Sequence, residues 1–225
     1  MTAYHGGKKR IGEEIAQVIS EICEKCECYI EPFCGMLGVY QHIPTYIQAK
    51  YYLAGDANES VIEMWKQVQK GWKPPTKCST KKYKQLKENG RVSAEKGFLG
   101  HALGFRGIYF NTQRNDVNLK RISYQVSDMK ETIQDVHFFP GSFDQFSNFK
   151  NSIIYCDPPY IVQAVYRDEY GKNKTFDYES FYIWAKGMAR HNVVFISERV
   201  NKLPIPSKVV AKFKNDEKLF VIDPI

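Results

Sequence analysis

The stretch SIIYCDPPY, residues 152–160, decides the fold of this 225-residue chain. Its first five residues predict a short buried strand, and the two prolines end that strand because proline has no backbone N–H for a sheet ladder. Asp157 and Tyr160 therefore stand where the strand leaves its sheet. In open α/β sheets, ligands bind at this edge.

Strands and helices alternate on both sides of this stretch. Apolar residues at steps of three and four predict helices over 8–26, from Gly38 to about Ala49, after a cap at Asn58, and over 179–190. Further strands are predicted over 29–33, 51–56, 137–139, 192–197, 208–213 and 219–222. This alternation predicts a Rossmann-like α/β fold, a largely parallel sheet with helices on both faces.

Composition and charge exclude several classes of protein. Hydrophobic residues make up 43% and charged residues 25%, as in globular proteins, and no apolar run approaches the roughly 20 residues of a membrane span. No signal-peptide core is present, so we expect a cytoplasmic protein, or one in the DNA-containing compartment of a host. The net charge is 32 − 25 = +7, with an acid-free lysine cluster over 70–87, which favours a polyanionic partner.

The segment from residue 73 to about 135 differs from the rest. It is rich in Lys, Gly and Asn, has poor periodicity, and mixes cations with aromatic side chains. We predict that residues 1–72 and 136–225 form one domain, and that residues 73–135 are an insertion that recognises the polyanion. The candidate contacts within it are Lys81, Lys82, Arg106, Tyr109, Asn111, Arg114 and Arg121.

The cysteines predict no metal site. Cys23, Cys26 and Cys28 are closely spaced, but no further Cys/His pair follows at the spacing of zinc ligands. A chain of this size without a secretion signal is expected to hold its six cysteines as free thiols.

Asp157 to Tyr160 suit methyl transfer to an exocyclic amine. The lone pair of such a nitrogen is delocalised into the base ring, and hydrogen bonds to Asp157 and to the Pro158 carbonyl would free it. Pro158 and Pro159 would fix that carbonyl, because proline sets its backbone φ in advance. Tyr160 would stack on a base swung out of the duplex.

A second group of residues predicts a nucleoside cofactor without phosphates. Gly35 and Gly38 form a strand-to-helix turn that lets a ligand approach the backbone, and the dinucleotide fingerprint G-x-G-x-x-G is absent. Asp56 ends the next strand, where an acid can accept both ribose hydroxyls. Phe143 could pack on the adenine ring of the cofactor.

The chain resembles the Dam-like, D12-class adenine-N6 DNA methyltransferases. Four motifs carry the resemblance in the family's order: residues 4–8 (Tyr-His-Gly-Gly-Lys), residues 31–38 around the glycine turn, residues 55–58 (Gly-Asp-Ala-Asn) and residues 157–160. The resemblance implies an S-adenosylmethionine-dependent methyltransferase acting on double-stranded DNA. It implies catalytic roles for Asp157, Pro158, Pro159 and Tyr160 and cofactor contacts from Tyr4, Lys8, Phe33, Gly35, Gly38, Asp56, Phe143 and Asp157. Lys8 would meet the carboxylate of the cofactor's methionine part.

Several alternatives stay open at this point. The same machinery could methylate cytosine N4 or an RNA adenine, or the chain could be a DNA-binding protein with a vestigial cofactor site. Cytosine-C5 methylation is disfavoured, because its Pro-Cys dipeptide is missing. The insertion lacks the Asn-x-Pro-x-Gly turn common in enzymes that read GATC, so the target sequence is open. A cognate restriction nuclease and the oligomeric state are open as well.

Overall fold

The computed structural model describes residues 7–161, 166–167 and 173–223. Its helices are Gly12–Ile22 (α1), Ile43–Tyr46 (α2), Glu59–Gln69 (α3), Thr80–Glu88 (α4), Ala94–Ala102 (α5), Leu119–Ser127 (α6) and Tyr178–Met188 (α7). Its strands are Lys25–Glu31 (β1), Gln48–Asp56 (β2), Val136–Pro140 (β3), Ser152–Cys156 (β4), Tyr166–Arg167 (β5), Asn173–Lys174 (β6), Val193–Glu198 (β7), Ser207–Lys212 (β8) and Lys218–Ile222 (β9).

One mixed sheet organises the described chain, with its strands in the order β3-β2-β1-β4-β7-β9-β8. The first five are parallel, whereas β9 runs antiparallel to both β7 and β8. Since β2 lies on one side of β1 and β4 on the other, the strand order reverses at β1. Such a reversal opens a crevice at the carboxyl ends of the two flanking strands.

The sheet separates two apolar cores, because successive side chains of a strand face opposite sides. Tyr29 and Ile153 belong to the core that contains α1 and α3, whereas their neighbours Ile30 and Ile154 belong to the core that contains α7. Helices therefore cover both faces, and the predicted α/β architecture is confirmed.

The cap of α3 is also confirmed. The Asn58 side-chain oxygen accepts hydrogen bonds from the backbone N–H groups of Ser60 at 3.1 Å and Val61 at 3.4 Å. These bonds satisfy N–H groups that have no partner within the helix. The capping residue lies two residues after the end of β2, and its N–H donates to Asp56 at the rim of the crevice.

Two predicted helix ends are wrong. The helix predicted over 8–26 ends at Ile22, and residues 25–31 form β1, since Cys28 and Ile30 alternate with Tyr29 toward the two cores. The helix predicted to reach about Ala49 is only a 3-10 turn, Tyr40–His42, and the four-residue α2. β2 then begins at Gln48, where Lys25 of β1 offers a parallel partner.

The segment over 73–135 folds onto the sheet domain. Its helices α4, α5 and α6 begin at the caps Ser79, Ser93 and Asn118, and α5 packs against α3. The contact is close, because a Cβ atom at Gly97 of α5 would overlap the carbonyl oxygen of Ser60. The apolar residues of this segment join the core that contains α1 and α3, so the domain boundaries predicted from composition stay a prediction.

Candidate functional site

A cleft of about 700 Å³ lies at the carboxyl ends of β1, β2 and β4. The sheet order places it, because these adjacent parallel strands end at the same edge. The following predicted site residues within the described ranges line it together: Lys8, Phe33, Gly35, Gly38, Asp56, Phe143, Asp157, Pro158, Pro159 and Tyr160. Tyr4 lies outside the described residues.

Gly35, in the turn after β1, forms hydrogen bonds through both its backbone N–H and its backbone carbonyl. Gly35 adopts a φ of 44°, its N–H donates to Asp56 at 2.9 Å, and its carbonyl accepts from the Trp65 indole at 2.8 Å. Gly38 has a different steric role, since a Cβ atom there would lie 2.9 Å from the backbone nitrogen of Lys8. The glycine turn therefore brings the segment at Lys8 against the cleft.

Asp56 is half-buried at the end of β2. One oxygen accepts from the Gly35 N–H and the other from the Asn58 N–H at 2.8 Å. Burial raises the pKa of Asp56 to about 6, although both backbone N–H groups lower it. A carboxylate fixed in this way retains lone pairs that can accept hydrogen bonds from a diol.

An aromatic wall closes one side of the cleft. The ring centroids of Phe33 and Phe143 lie 5.8 Å apart, and Phe176 lies 5.8 Å from Phe33 and 6.1 Å from Phe143. Trp184 packs behind Phe143 at 5.2 Å. The three phenylalanines line the cleft and offer apolar faces to a flat ring.

Asp157 follows β4 and is ion-paired with Lys8. The Lys8 ammonium lies 2.6 Å from each carboxylate oxygen of Asp157, and only 4% of the Lys8 side chain is exposed. Burial raises the pKa of Asp157, and the Lys8 ammonium works against that shift. The catalytic candidate and the cofactor candidate therefore contact each other directly.

Tyr160 is buried between two cations. The Lys8 ammonium lies 4.9 Å and the Arg199 guanidinium 5.3 Å from its ring centroid, and its hydroxyl donates a hydrogen bond to Glu217. With 6% of the residue exposed, its ring is covered in this state. Stacking of a base on Tyr160, as predicted, requires that a covering group move.

Sequence reasoning missed two acids of this site. Glu31, at the end of β1, is buried and accepts from the Tyr29 hydroxyl at 2.8 Å, and burial raises its pKa to about 8. Glu217 is buried beside Lys8 and Tyr160. The position of Glu31 at the end of β1, next to the glycine turn, could have identified it from the sequence. Glu217 comes from the hairpin of β8 and β9, which is distant in the sequence, and no such signal points to it.

The backbone after Tyr160 is fixed by β7. Glu198 is fully buried and accepts from the Ile161 N–H at 3.1 Å and the Arg199 N–H at 2.7 Å. Burial raises the pKa of Glu198, and both N–H groups oppose the shift. The end of β7 thus positions the segment that carries the two prolines.

The predicted DNA contacts have diverse surroundings. Lys81, Arg106 and Arg121 are exposed, Lys82 pairs with Glu95 at 2.7 Å, and Arg114 forms a bidentate pair with Asp116 at 2.8 and 3.0 Å. Tyr109 is buried, and its ring lies 4.7 Å from that of His101 in the wall of the cleft. The Asn111 carbonyl accepts from the Tyr83 hydroxyl at 3.1 Å.

A family model decides the identity of the chain. The model of the D12 class N6 adenine-specific DNA methyltransferases matches residues 4–126, which is more than half of the sequence. The chain belongs to this family. The match spans the glycine turn, Asp56 and most of the segment over 73–135, and the protein is therefore a D12-class methyltransferase.

Solved structures resemble this D12 methyltransferase only distantly. A conserved hypothetical protein from Streptococcus pyogenes aligns at 8% identity and a TM-score of 0.42, over 89% of this chain and 88% of its own. A protein provisionally named an RNA methyltransferase, from Pyrococcus horikoshii, aligns at 9% identity and a TM-score of 0.42, over 86% of this chain and 61% of its own. The provisionally named methyltransferase yhhF from Escherichia coli aligns at 8% identity and a TM-score of 0.45, over 95% of this chain and 85% of its own. No curated protein matches the chain significantly.

Metal clusters and membrane spans are both missing from the described part of this D12 methyltransferase. Across residues 7–161, 166–167 and 173–223, no group of three or more His, Cys, Asp or Glu side chains is arranged to hold a metal ion. None of the helices within the same ranges has the length and apolar character needed to cross a membrane.

Proposed function

We propose that this D12 methyltransferase transfers the methyl group of S-adenosylmethionine to N6 of an adenine flipped out of double-stranded DNA, within a specific sequence. The observation that carries the proposal is the shared cleft, which Asp56, the phenylalanines and Asp157 line together. A nucleoside cofactor and an amine substrate could therefore meet in one cavity. S-adenosylmethionine would supply an electrophilic sulfonium methyl group.

The residues around Asp56 fit the nucleoside part of that cofactor. Asp56 can accept both ribose hydroxyls, and Phe33 and Phe143 offer apolar faces to adenine. The turn at Gly35 gives the ligand a close approach to the backbone. An acid at the ribose position together with an apolar wall suits a cofactor without phosphates.

Asp157 would act on the substrate amine. Its oxygens would accept the amine hydrogens, which weakens conjugation of the nitrogen with the ring and directs the lone pair to the methyl group. Placement of the two reactants in line is the larger contribution, because the displacement needs orientation more than a strong base. Pro158 contributes a carbonyl whose direction the proline rings fix.

Lys8 has two roles in this proposal. Before the base arrives, its ammonium occupies both oxygens of Asp157 and keeps that carboxylate charged within the protein. Its second role, implied by the resemblance, is to lie near the carboxylate of the cofactor's methionine part. A base whose amine takes the position of the ammonium between the two Asp157 oxygens displaces Lys8 from Asp157.

Expression in cells that lack adenine methylation tests the proposal, with genome-wide mapping of modified bases and mass spectrometry of the nucleosides. N6-methyladenine at one sequence motif is expected, together with its loss in an Asp157→Ala variant. N4-methylcytosine, methylated RNA or cofactor binding without methyl transfer would each overturn the adenine-DNA assignment.

A further inference from the structure

Glu217 stands at the end of the turn between β8 and β9. It follows Asn215 and Asp216, whose φ values of 60° and 59° lie in the left-handed region, and directly precedes β9. Its carbonyl accepts the Phe213 N–H at 2.7 Å, which closes the loop between β8 and β9. Asparagine and aspartate adopt the left-handed region more readily than other non-glycine residues. Here the turn places a carboxylate with 3% exposure beside Lys8 and Tyr160.

The Glu217 carboxylate contacts the groups that surround Asp157. One oxygen lies 3.3 Å from the Lys8 ammonium and accepts the Tyr160 hydroxyl, and the other lies 3.6 Å from Arg199. The Lys8 ammonium thus stands between two carboxylates, closer to Asp157 at 2.6 Å than to Glu217.

A carboxylate keeps further lone pairs, but an amine that binds Asp157 at the position of the Lys8 ammonium has to displace that ammonium. The displaced ammonium has to stay paired, since a buried cation without a counter-charge is costly. Glu217 is already within 3.3 Å, so a small movement keeps the ammonium paired. A cation held by two carboxylates can move from one to the other without entering water.

We propose that Glu217 is a positioning residue that receives the Lys8 ammonium when the substrate amine takes its place on Asp157. The inference rests on the proposed function and adds a specific task for the loop between β8 and β9. Its second contact, to the Tyr160 hydroxyl, keeps the receiving oxygen at the rim of the amine site.

The first test measures methyl transfer in a single turnover on duplex DNA, together with equilibrium binding of the cofactor. Glu217→Gln keeps an oxygen for the Tyr160 hydroxyl but removes the charge. We expect the transfer rate to fall by roughly tenfold or more, the usual effect of losing a charged partner. Asp216→Asn is the matched control, since it removes one charge from the same turn at an exposed site where asparagine tolerates a positive φ.

A double-mutant cycle separates this role from a purely structural one. Glu217→Gln is made in the parent and in a Lys8→Met background, where there is no ammonium to receive. The substitution should slow the Lys8→Met protein less than about twofold, because the coupling runs through Lys8. A parental rate in Glu217→Gln, or an equal loss in both backgrounds, would overturn the inference.

A measurement without DNA keeps the inference testable if the proposed function fails. The position of the Lys8 ammonium is determined in crystal structures of two variants without DNA. In Asp157→Asn the ammonium should remain within ion-pair distance of Glu217, whereas in Asp157→Asn with Glu217→Gln it should leave that position. If Asp157→Asn alone releases the ammonium from Glu217, Glu217 does not receive it. An inactive parent protein would overturn the proposed function instead.

Discussion

The Lys8 ammonium contacts both carboxylate oxygens of Asp157 at 2.6 Å. The acid expected to accept the amine hydrogens is therefore occupied by a cation from the N-terminal segment. Burial raises the pKa of Asp157, and the Lys8 ammonium opposes that shift by favouring the charged carboxylate. Under the proposed function, an amine that takes the position of the ammonium replaces one charged partner of Asp157 by two hydrogen bonds.

Asp157→Ala should lower the rate of methyl transfer by about a hundredfold or more, because its hydrogen bonds strengthen as the amine changes geometry. Cofactor affinity should largely persist, since Asp56 and the aromatic wall stay in place. Single-turnover transfer with tritiated cofactor and calorimetry measure the two quantities. Asp135→Ala, at an exposed position before β3 and so at the edge of the sheet opposite the cleft, should match the parent. A parental rate in Asp157→Ala would remove Asp157 from the chemistry.

Cofactor affinity should fall as the pH drops through about 6, because Asp56 must be charged to accept both ribose hydroxyls and its pKa is raised to about 6. Asp56→Asn should weaken binding at pH 7.5 by roughly 1.5–3 kcal/mol and flatten the pH dependence. Calorimetry between pH 5 and 8 measures both effects. Pronounced pH dependence in Asp56→Asn would assign the titration to another group.

The free energy of unfolding should depend on pH through Glu31. Its pKa is about 8 in the folded chain, against about 4.3 for an unfolded glutamate, so unfolding releases a proton between these values. The contribution of Glu31 is fully present below about pH 4.3 and is lost as the pH rises through about 8. We expect a loss on the order of a few kcal/mol.

Urea denaturation at pH 5.5 and 8.5 checks this expectation. Glu31→Gln keeps an acceptor for the Tyr29 hydroxyl and should lose less stability than the parent as the pH rises. Glu14→Gln, at an exposed position of α1, should follow the parent. If Glu31→Gln and the parent lose stability equally between the two pH values, Glu31 is ionised in the folded protein.

Gly97→Ala should destabilise the fold by roughly 1–3 kcal/mol, because the added methyl group would overlap the Ser60 carbonyl between α5 and α3. Gly187→Ala is the matched control in α7, where a Cβ atom meets nothing within 4 Å. That change should stabilise the protein by about 0.5–1 kcal/mol. Equal unfolding free energies for the two variants would mean that α5 does not pack on α3 in solution.

Arg106→Ala should weaken DNA binding and reduce the salt slope by about 0.9 for each phosphate that the side chain no longer neutralises. Asp116→Asn should strengthen binding at low salt, because it frees the Arg114 guanidinium from its bidentate pair. Fluorescence anisotropy across a salt series measures both changes. Unchanged isotherms for both variants would place the DNA elsewhere on the protein.

The sequence predicts the cleft because its motifs lie at strand ends. The apolar run over 152–156 is β4 with the same bounds, and the acid-x-Asn after β2 gives both Asp56 and the Asn58 cap. Parallel order then brings these strand ends together, which needs no knowledge of side-chain contacts.

Glu217 could not be predicted in this way. It lies 57 residues from Tyr160, in a loop between two weak strand patterns, and its contacts depend on where β9 enters the sheet. The helices over 73–135 were obscured by their many lysines. The capping residues Ser79, Ser93 and Asn118 mark where these helices begin. They indicate the helices in the sequence, whereas the poor hydrophobic periodicity does not.

The place of β9 in the sheet has a consequence for synthesis on the ribosome. β8 is made first, but its neighbour in the described sheet is β9, which inserts between β7 and β8. Until residues 218–222 leave the exit tunnel, β8 has no strand to pair with and β7 presents an open edge. The strands from β1 to β4 can therefore pair earlier, whereas Glu217, the acid beside Lys8, arrives only when that edge closes.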